Sequence, residues 1–126
     1  MRMEYLPDAA IIRLFDFTAD EASHLQQLFS LLASGQAHRV SLHELWFMQP
    51  VNDCRLYLSV GMNDEGILRT ADKGMFECRL TLEGWSEEAE RIKPSAVDEP
   101  TETCYQWLME GISSEISLLL SKSGQW

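Results

Sequence analysis

The N-terminal third of the chain carries two patterns of apolar positions, one typical of a buried strand and one of an amphipathic helix. Ala10–Phe17 is rich in residues that favour β-structure and is apolar at both odd and even positions, which predicts a strand covered on both faces. Thr18 and Glu21 then match a capping box, after which apolar residues recur every three or four positions as far as Gly35. This spacing predicts a helix over 18–34.

From residue 39 onward the period of the apolar positions changes to two. Segments 40–43, 54–60 and 76–82 alternate apolar and polar side chains, as strands do when one face is buried and the other is solvated. Turn-forming residues flank a short strand at 67–70. The pattern predicts an antiparallel meander.

The last part of the chain predicts a second helix and a hairpin. A helix fits 84–93, with Trp85 on its apolar face and Pro94 at its end. Segments 103–109 and 115–121 predict the hairpin. The polar face of the second helix is expected to hold three solvated carboxylates, those of Glu87, Glu88 and Glu90.

The order of these elements, β-α-β-β-β-β-α-β-β, predicts an α+β fold in which two helices pack on a mainly antiparallel sheet. The chain shows neither an internal repeat nor a change in composition that would separate two domains. We therefore expect one globular domain spanning residues 1–126.

Charge narrows the classes of partner. The chain has 20 Asp and Glu residues against 10 Lys and Arg, a net charge of -10. This charge repels phosphate backbones and anionic membranes, so nucleic acid and membrane partners are not expected. Half of the acidic excess lies in residues 83–102. Such a stretch is either a solvated surface or a patch that steers a basic protein partner.

The cysteines and histidines indicate neither a disulfide framework nor a metal site. Cys54, Cys78 and Cys104 are odd in number and have no CxxC spacing, and the histidines have no HxxxH spacing. Motifs for a nucleophilic serine or a phosphate-binding loop are also missing from the sequence. No cofactor is expected. With no apolar leader or membrane span in the pattern, the cytoplasm is the expected location.

A run of four large apolar residues, Leu45-Trp46-Phe47-Met48, does not fit a strand with one buried face. Pro50 follows it closely and prevents a central ladder from continuing. One interpretation is a bulge or an edge strand packed under a loop. The other is an exposed patch, formed by Trp46, Phe47 and Met48, that binds a protein partner or a second copy of the chain.

The polar face of the expected meander is a second candidate site. Arg55 and Tyr57 on one strand are expected to stand near Glu77 and Arg79 on another, with Arg69 on a strand between them. These residues either form ordinary cross-strand ion pairs or build a shallow cradle for a small anionic ligand or a peptide.

Two hypotheses about function follow from the sequence. The first is an acidic, non-catalytic interaction module, such as an inhibitor, an immunity-type protein or a regulatory subunit, that binds its partner through the aromatic run and the acidic helix. The second is a small-molecule binding protein or small enzyme that uses the polar face of the sheet.

Overall fold

A computed structural model of the protein describes residues 1–96, 105–109 and 114–122. These residues form two α-helices and nine β-strands. The helices are α1 (Ala19–Ala33) and α2 (Leu82–Ile92). The strands are β1 (Arg2–Leu6), β2 (Ile11–Phe15), β3 (Arg39–Ser41), β4 (Gln49–Pro50), β5 (Arg55–Val60), β6 (Gly66–Arg69), β7 (Met75–Leu80), β8 (Tyr105–Leu108) and β9 (Ser117–Ser121).

The strands are divided between two sheets, and both sheets mix parallel with antiparallel pairs. The five-stranded sheet has the order β4-β1-β2-β9-β8, and the four-stranded sheet has the order β3-β5-β7-β6. Among the described strands, β1–β4, β2–β9 and β5–β7 are parallel pairs and the other four pairs are antiparallel. The α+β class is confirmed, although the sheets are mixed rather than purely antiparallel.

Strand β2 lies inside its sheet, as its two-sided apolar pattern predicted. It pairs with β1 on one side and with β9 on the other, and all its residues except Arg13 are buried. Strand β1 was not predicted from the sequence. It is only five residues long and places polar residues beside Met3, so its alternation is too short to stand out.

Helix α1 begins at the capping box that the sequence indicated. The backbone N–H of Glu21 donates to Thr18 Oγ1 at 3.2 Å, and the backbone N–H of Thr18 donates to the Glu21 carboxylate at 2.9 Å. The same carboxylate accepts a hydrogen bond from the Met1 ammonium at 3.0 Å. The helix buries one apolar face, which consists of Ala22, Leu25, Phe29 and Leu32.

The predicted antiparallel meander is wrong in its strand order. Strands β5 and β7 are parallel neighbours, and β6 lies outside them at the edge of the sheet, paired with β7 alone among the strands. Alternation of apolar and polar residues predicts which face of the sheet each side chain occupies, but it does not predict which strand pairs with which. The final hairpin is confirmed, since β8 and β9 form an antiparallel pair.

The core lies where the inner faces of both sheets meet the two helices. Trp85 of α2 is fully buried there, with its ring centroid 5.0 Å from that of Phe29 of α1. Its Nε1–H donates to the backbone carbonyl of Ser59 in β5 at 2.9 Å. One side chain therefore links both helices to the four-stranded sheet.

Candidate functional site

Trp46 is a large aromatic residue held on the outside of the fold. Trp46 is 81% exposed, whereas most of the other large apolar residues in the described part of the chain are buried in the core. The turn that carries it is closed by the backbone hydrogen bond from Met48 N–H to the Leu45 carbonyl, at 2.9 Å. The local backbone thus presents the indole from a tight, hydrogen-bonded turn.

The indole of Trp46 packs against two neighbouring rings. Its centroid lies 5.2 Å from that of Phe47 and 5.7 Å from that of His24 on α1, both in edge-on geometry. His24 is itself fixed, because its Nδ1 lies 2.9 Å from the backbone carbonyl of Asp20. These contacts limit the rotamers of Trp46 while its outer face stays open to solvent.

The predicted aromatic patch is smaller than the sequence suggested. Phe47 is only 7% exposed and Met48 only 6%, so both belong to the core and do not lie on the surface. The expectation that they share an exposed patch with Trp46 is wrong. The preceding residues form a 3-10 helix over Leu42–Glu44, whose period turns successive side chains in different directions.

The acidic face of α2 also differs from the prediction at one position. Glu87 and Glu90 are exposed, but Glu88 is buried and only 1% exposed. The Glu88 carboxylate forms a salt bridge with Arg91 at 2.7 Å and accepts a hydrogen bond from the backbone N–H of Met109 at 2.7 Å. Glu88 therefore ties α2 to the end of β8 and is not part of a solvated surface.

The acidic face of α2 and the Trp46 turn lie on different sides of α1. Gln26 and Ser30 of α1 line a surface groove together with Glu90 of α2. His24, which contacts Trp46, is about 160° away from Gln26 around the helix axis. The two predicted partner-binding regions are not one continuous surface. The acidic residues expected at 98, 99 and 102 lie outside the described residues.

Four of the residues predicted on the polar sheet face do share that face. Arg55 and Tyr57 on β5 stand beside β7, where the register pairs Tyr57 with Glu77 and Ser59 with Arg79. The charged side chains of β7 on this face are paired with their neighbours, whereas Arg55 Nε is buried and has no hydrogen-bond partner within the described residues. Arg79 donates to Glu65 at 2.8 Å and lies 3.5 Å from Glu77, and Ser59 Oγ donates to Glu77 at 3.2 Å.

The fifth predicted residue of that face, Arg69, lies elsewhere. It pairs with Phe76, whose ring is buried in the core, so Arg69 is on the opposite phase of the sheet from Arg79. It also lies on the edge strand β6, not on a strand between β5 and β7. The predicted cradle of three arginines is therefore wrong.

Arg69 instead borders a groove that sequence reasoning missed. This junction groove lies between Tyr5 at the end of β1, the Val51–Cys54 turn and the Arg69–Phe76 segment, and it has a volume of about 590 Å³. Its residues come from three distant parts of the chain. The only local signals were turn residues, Asn52-Asp53 and Asp72-Lys73-Gly74, which by themselves mark turns and not a cavity.

The two described cysteines are buried free thiols. Burial, with a smaller effect of the nearby Glu4 carboxylate, raises the pKa of Cys54 to about 11. Burial also raises the pKa of Cys78, and the charges of Glu88 and Glu77 add to the shift. Both thiols are therefore protonated at neutral pH and are not nucleophiles. Cys104 lies outside the described residues.

Two further findings concern the described part of the chain. It contains no group of three or more His, Cys, Asp or Glu side chains that could hold a metal ion. Its helices include none with the length and apolar character of a membrane span, the longer being α1 with 15 residues. In comparisons with known proteins, no family model, no curated protein and no solved structure matches this chain.

Proposed function

We propose that the protein is a non-catalytic interaction module that docks on a basic protein partner, with Trp46 as its anchor. The observation that carries this proposal is the 81% exposure of Trp46 on a turn that holds the indole in place. Tryptophan is among the residues that contribute most to binding when a partner buries them.

The support under the indole favours tight binding. A side chain that loses rotamer freedom on association weakens affinity, whereas a restrained one has less freedom to lose. Trp46 is already restrained by its ring contacts with Phe47 and His24. A partner that covers it would bury a large apolar area at little conformational cost.

The charge of the chain favours a basic partner over a second copy. Glu44, two residues before Trp46, is exposed, and so is Asp20, whose backbone carbonyl holds the His24 ring that contacts Trp46. The whole chain carries a net charge of -10. Two copies would repel each other, while a basic protein would be attracted. Glu87 and Glu90 are not beside Trp46, so we assign them to long-range steering of the encounter. The buried free thiols suit a reducing compartment such as the cytoplasm.

Native mass spectrometry of the tagged protein, recovered at low salt from its own host's lysate, tests the proposal. We compare the wild type with W46S and with M62S. Met62 is 94% exposed, so M62S removes an apolar surface residue without touching the Trp46 turn. The expected result is a complex with a basic protein that persists in M62S and is lost in W46S.

A second comparison tests the role of charge. The E87Q/E90Q variant is expected to bind the same partner more slowly at low salt, with a smaller difference at high salt, because salt screens exposed charges. Equal capture by wild type and W46S would refute the role of Trp46. A homodimer as the only species formed would refute the basic partner.

A further inference from the structure

We propose that the junction groove is a binding site for a small zwitterion with a flat apolar body, the chemistry of an aromatic α-amino acid. This site is separate from the Trp46 surface. The inference rests on the apolar base of the groove, on the unpaired charges of both signs at its rim, and on the hydrogen bonds that hold its walls together.

The base of the junction groove is apolar and partly aromatic. Cys54 and Phe76 are 2% and 3% exposed, and the rings of Tyr5 and Phe76 lie 4.7 Å apart at an angle of 50°. Because its pKa is about 11, the Cys54 thiol is a neutral wall and not a reactive group. Tilted aromatic rings of this kind provide packing surfaces for a flat ligand.

The rim of the groove carries charges of both signs that form no salt bridge with each other. Lys73, Asp53 and Asp72 line the groove, and none of them forms a salt bridge within the described residues. Most other basic side chains of this acidic chain are paired with carboxylates. A ligand that carries both an ammonium and a carboxylate would find a partner for each charge here.

The Lys73 and Asp53 segments lie next to each other in space. The Arg55 N–H donates to the Gly74 carbonyl at 2.9 Å, and a Cβ added to Gly74 would lie 3.7 Å from the Asp53 carbonyl oxygen. A backbone hydrogen bond therefore joins the two walls at Gly74 and Arg55, which follow Lys73 and Asp53 closely in the sequence. The backbones that carry the two rim charges are therefore close enough for one small molecule to span both residues.

Hydrogen bonds within each wall hold the shape of the groove. Asn52 and Asp53 have left-handed φ values of 54° and 57°, and the turn is closed by Cys54 N–H donating to the Val51 carbonyl at 3.2 Å. The opposite wall is held by Thr70 Oγ1, which donates to the Met75 carbonyl at 3.0 Å. A preformed groove of about 590 Å³ is within the usual range for small ligands.

Three probes that differ by one charge test the inference. L-Phenylalanine carries both charges, 3-phenylpropionate lacks the ammonium, and 2-phenylethylamine lacks the carboxylate. Each is titrated to millimolar concentration while backbone amide chemical shifts are followed by NMR. We expect L-phenylalanine to shift amides of 52–55 and 70–76 and to bind about threefold to tenfold more tightly than either analogue.

Two charge variants assign the roles of the rim residues. K73Q should weaken the binding of L-phenylalanine and 3-phenylpropionate but not of 2-phenylethylamine. D53N should weaken L-phenylalanine and 2-phenylethylamine but not 3-phenylpropionate, and asparagine suits the left-handed backbone at this position. K122Q is the control, since Lys122 also lacks a salt bridge within the described residues but lies outside the groove.

Two results would overturn the inference. One is the absence of shifts at the groove amides with millimolar L-phenylalanine. The other is equal affinity for the three probes, which would mean that the groove binds apolar rings alone. Because Trp46 is not part of the groove, W46S should bind L-phenylalanine as the wild type does. The two proposals can therefore fail independently.

Discussion

At the scale of single residues, two neighbouring glutamates of α2 have different roles. Glu87 is exposed and contributes only to the surface charge. Glu88 is buried, pairs with Arg91 at 2.7 Å and accepts the backbone N–H of Met109, a residue with a positive φ of 58°. A buried charge is tolerated only when it is paired and hydrogen-bonded, and Glu88 meets both conditions.

Replacing Glu88 with alanine should therefore destabilise the protein much more than replacing Glu87. E88A removes the acceptor of the Met109 N–H and the salt bridge between residues 88 and 91, which we expect to cost about 2–4 kcal/mol in the free energy of unfolding. E87A should change it by less than about 0.5 kcal/mol. Urea denaturation measures both. If E88A were as mild as E87A, the buried carboxylate would have no anchoring role.

At the scale of elements, helix α1 connects the N-terminus of the described chain to the Trp46 turn. Its first turn holds Glu21, which accepts hydrogen bonds from the Thr18 backbone and from the Met1 ammonium. Met1 also donates to the Phe47 carbonyl at 3.0 Å. One turn further along the helix, His24 contacts the Trp46 ring. The start of α1 thus holds the backbone of Phe47, through Met1, and the ring of Trp46, through His24.

The charge of Glu21 should make this region sensitive to acid. Burial alone raises the pKa of Glu21, but the hydrogen bonds from Thr18 and the Met1 ammonium outweigh it and hold the pKa below its ordinary value. The unfolded chain then binds more protons than the folded one at mildly acidic pH. The contribution of Glu21 to the free energy of unfolding is fully present above its pKa in the unfolded chain, which is about 4.3. This contribution is lost as the pH falls through the lower pKa that Glu21 has in the folded protein.

The E21Q variant tests this expectation. Thermal unfolding is followed by circular dichroism between neutral and acidic pH, for the wild type and for E21Q. The melting temperature of E21Q should be lower at neutral pH and should fall less on acidification. E83Q is the control, since Glu83 is exposed in the first turn of α2. Parallel pH curves for E21Q and the wild type would contradict the assignment.

At the scale of the whole molecule, one core joins both sheets and both helices. Buried residues of β1, β2 and β9 pack in the same cluster as those of β5, β7, α1 and α2. Trp85 is its largest fully buried side chain. Elements that share a core of this kind are expected to unfold together.

Denaturant unfolding should therefore occur in one transition. Far-UV circular dichroism and tryptophan fluorescence are expected to give the same midpoint. W85F removes the hydrogen bond to Ser59 and part of the core volume, and it should lower both midpoints together, with a loss of about 2–4 kcal/mol. Two separated midpoints, or a shift of one probe alone, would show that the two sheets unfold independently.

The candidate sites were only partly predictable from sequence, for reasons of periodicity and distance. Trp46 was identified because four large apolar residues in a row cannot all face one core. The sequence left Phe47 and Met48 open between a packed and an exposed position, and the structure buries both, since a 3-10 helix and a turn have neither of the two periods that indicate a face. The junction groove has no local signal, because Tyr5, Cys54 and Lys73 meet only in the folded chain.

By itself, the sequence determined the local structure of this protein. It specified α1 and its capping box, the two-sided burial of β2, the alternating strands and the C-terminal hairpin, because each depends on residues a few positions apart. The tertiary structure alone decided that β6 lies outside β7, that Glu88 is buried and that the junction groove forms. These features depend on pairing between distant segments, which side-chain periodicity does not encode.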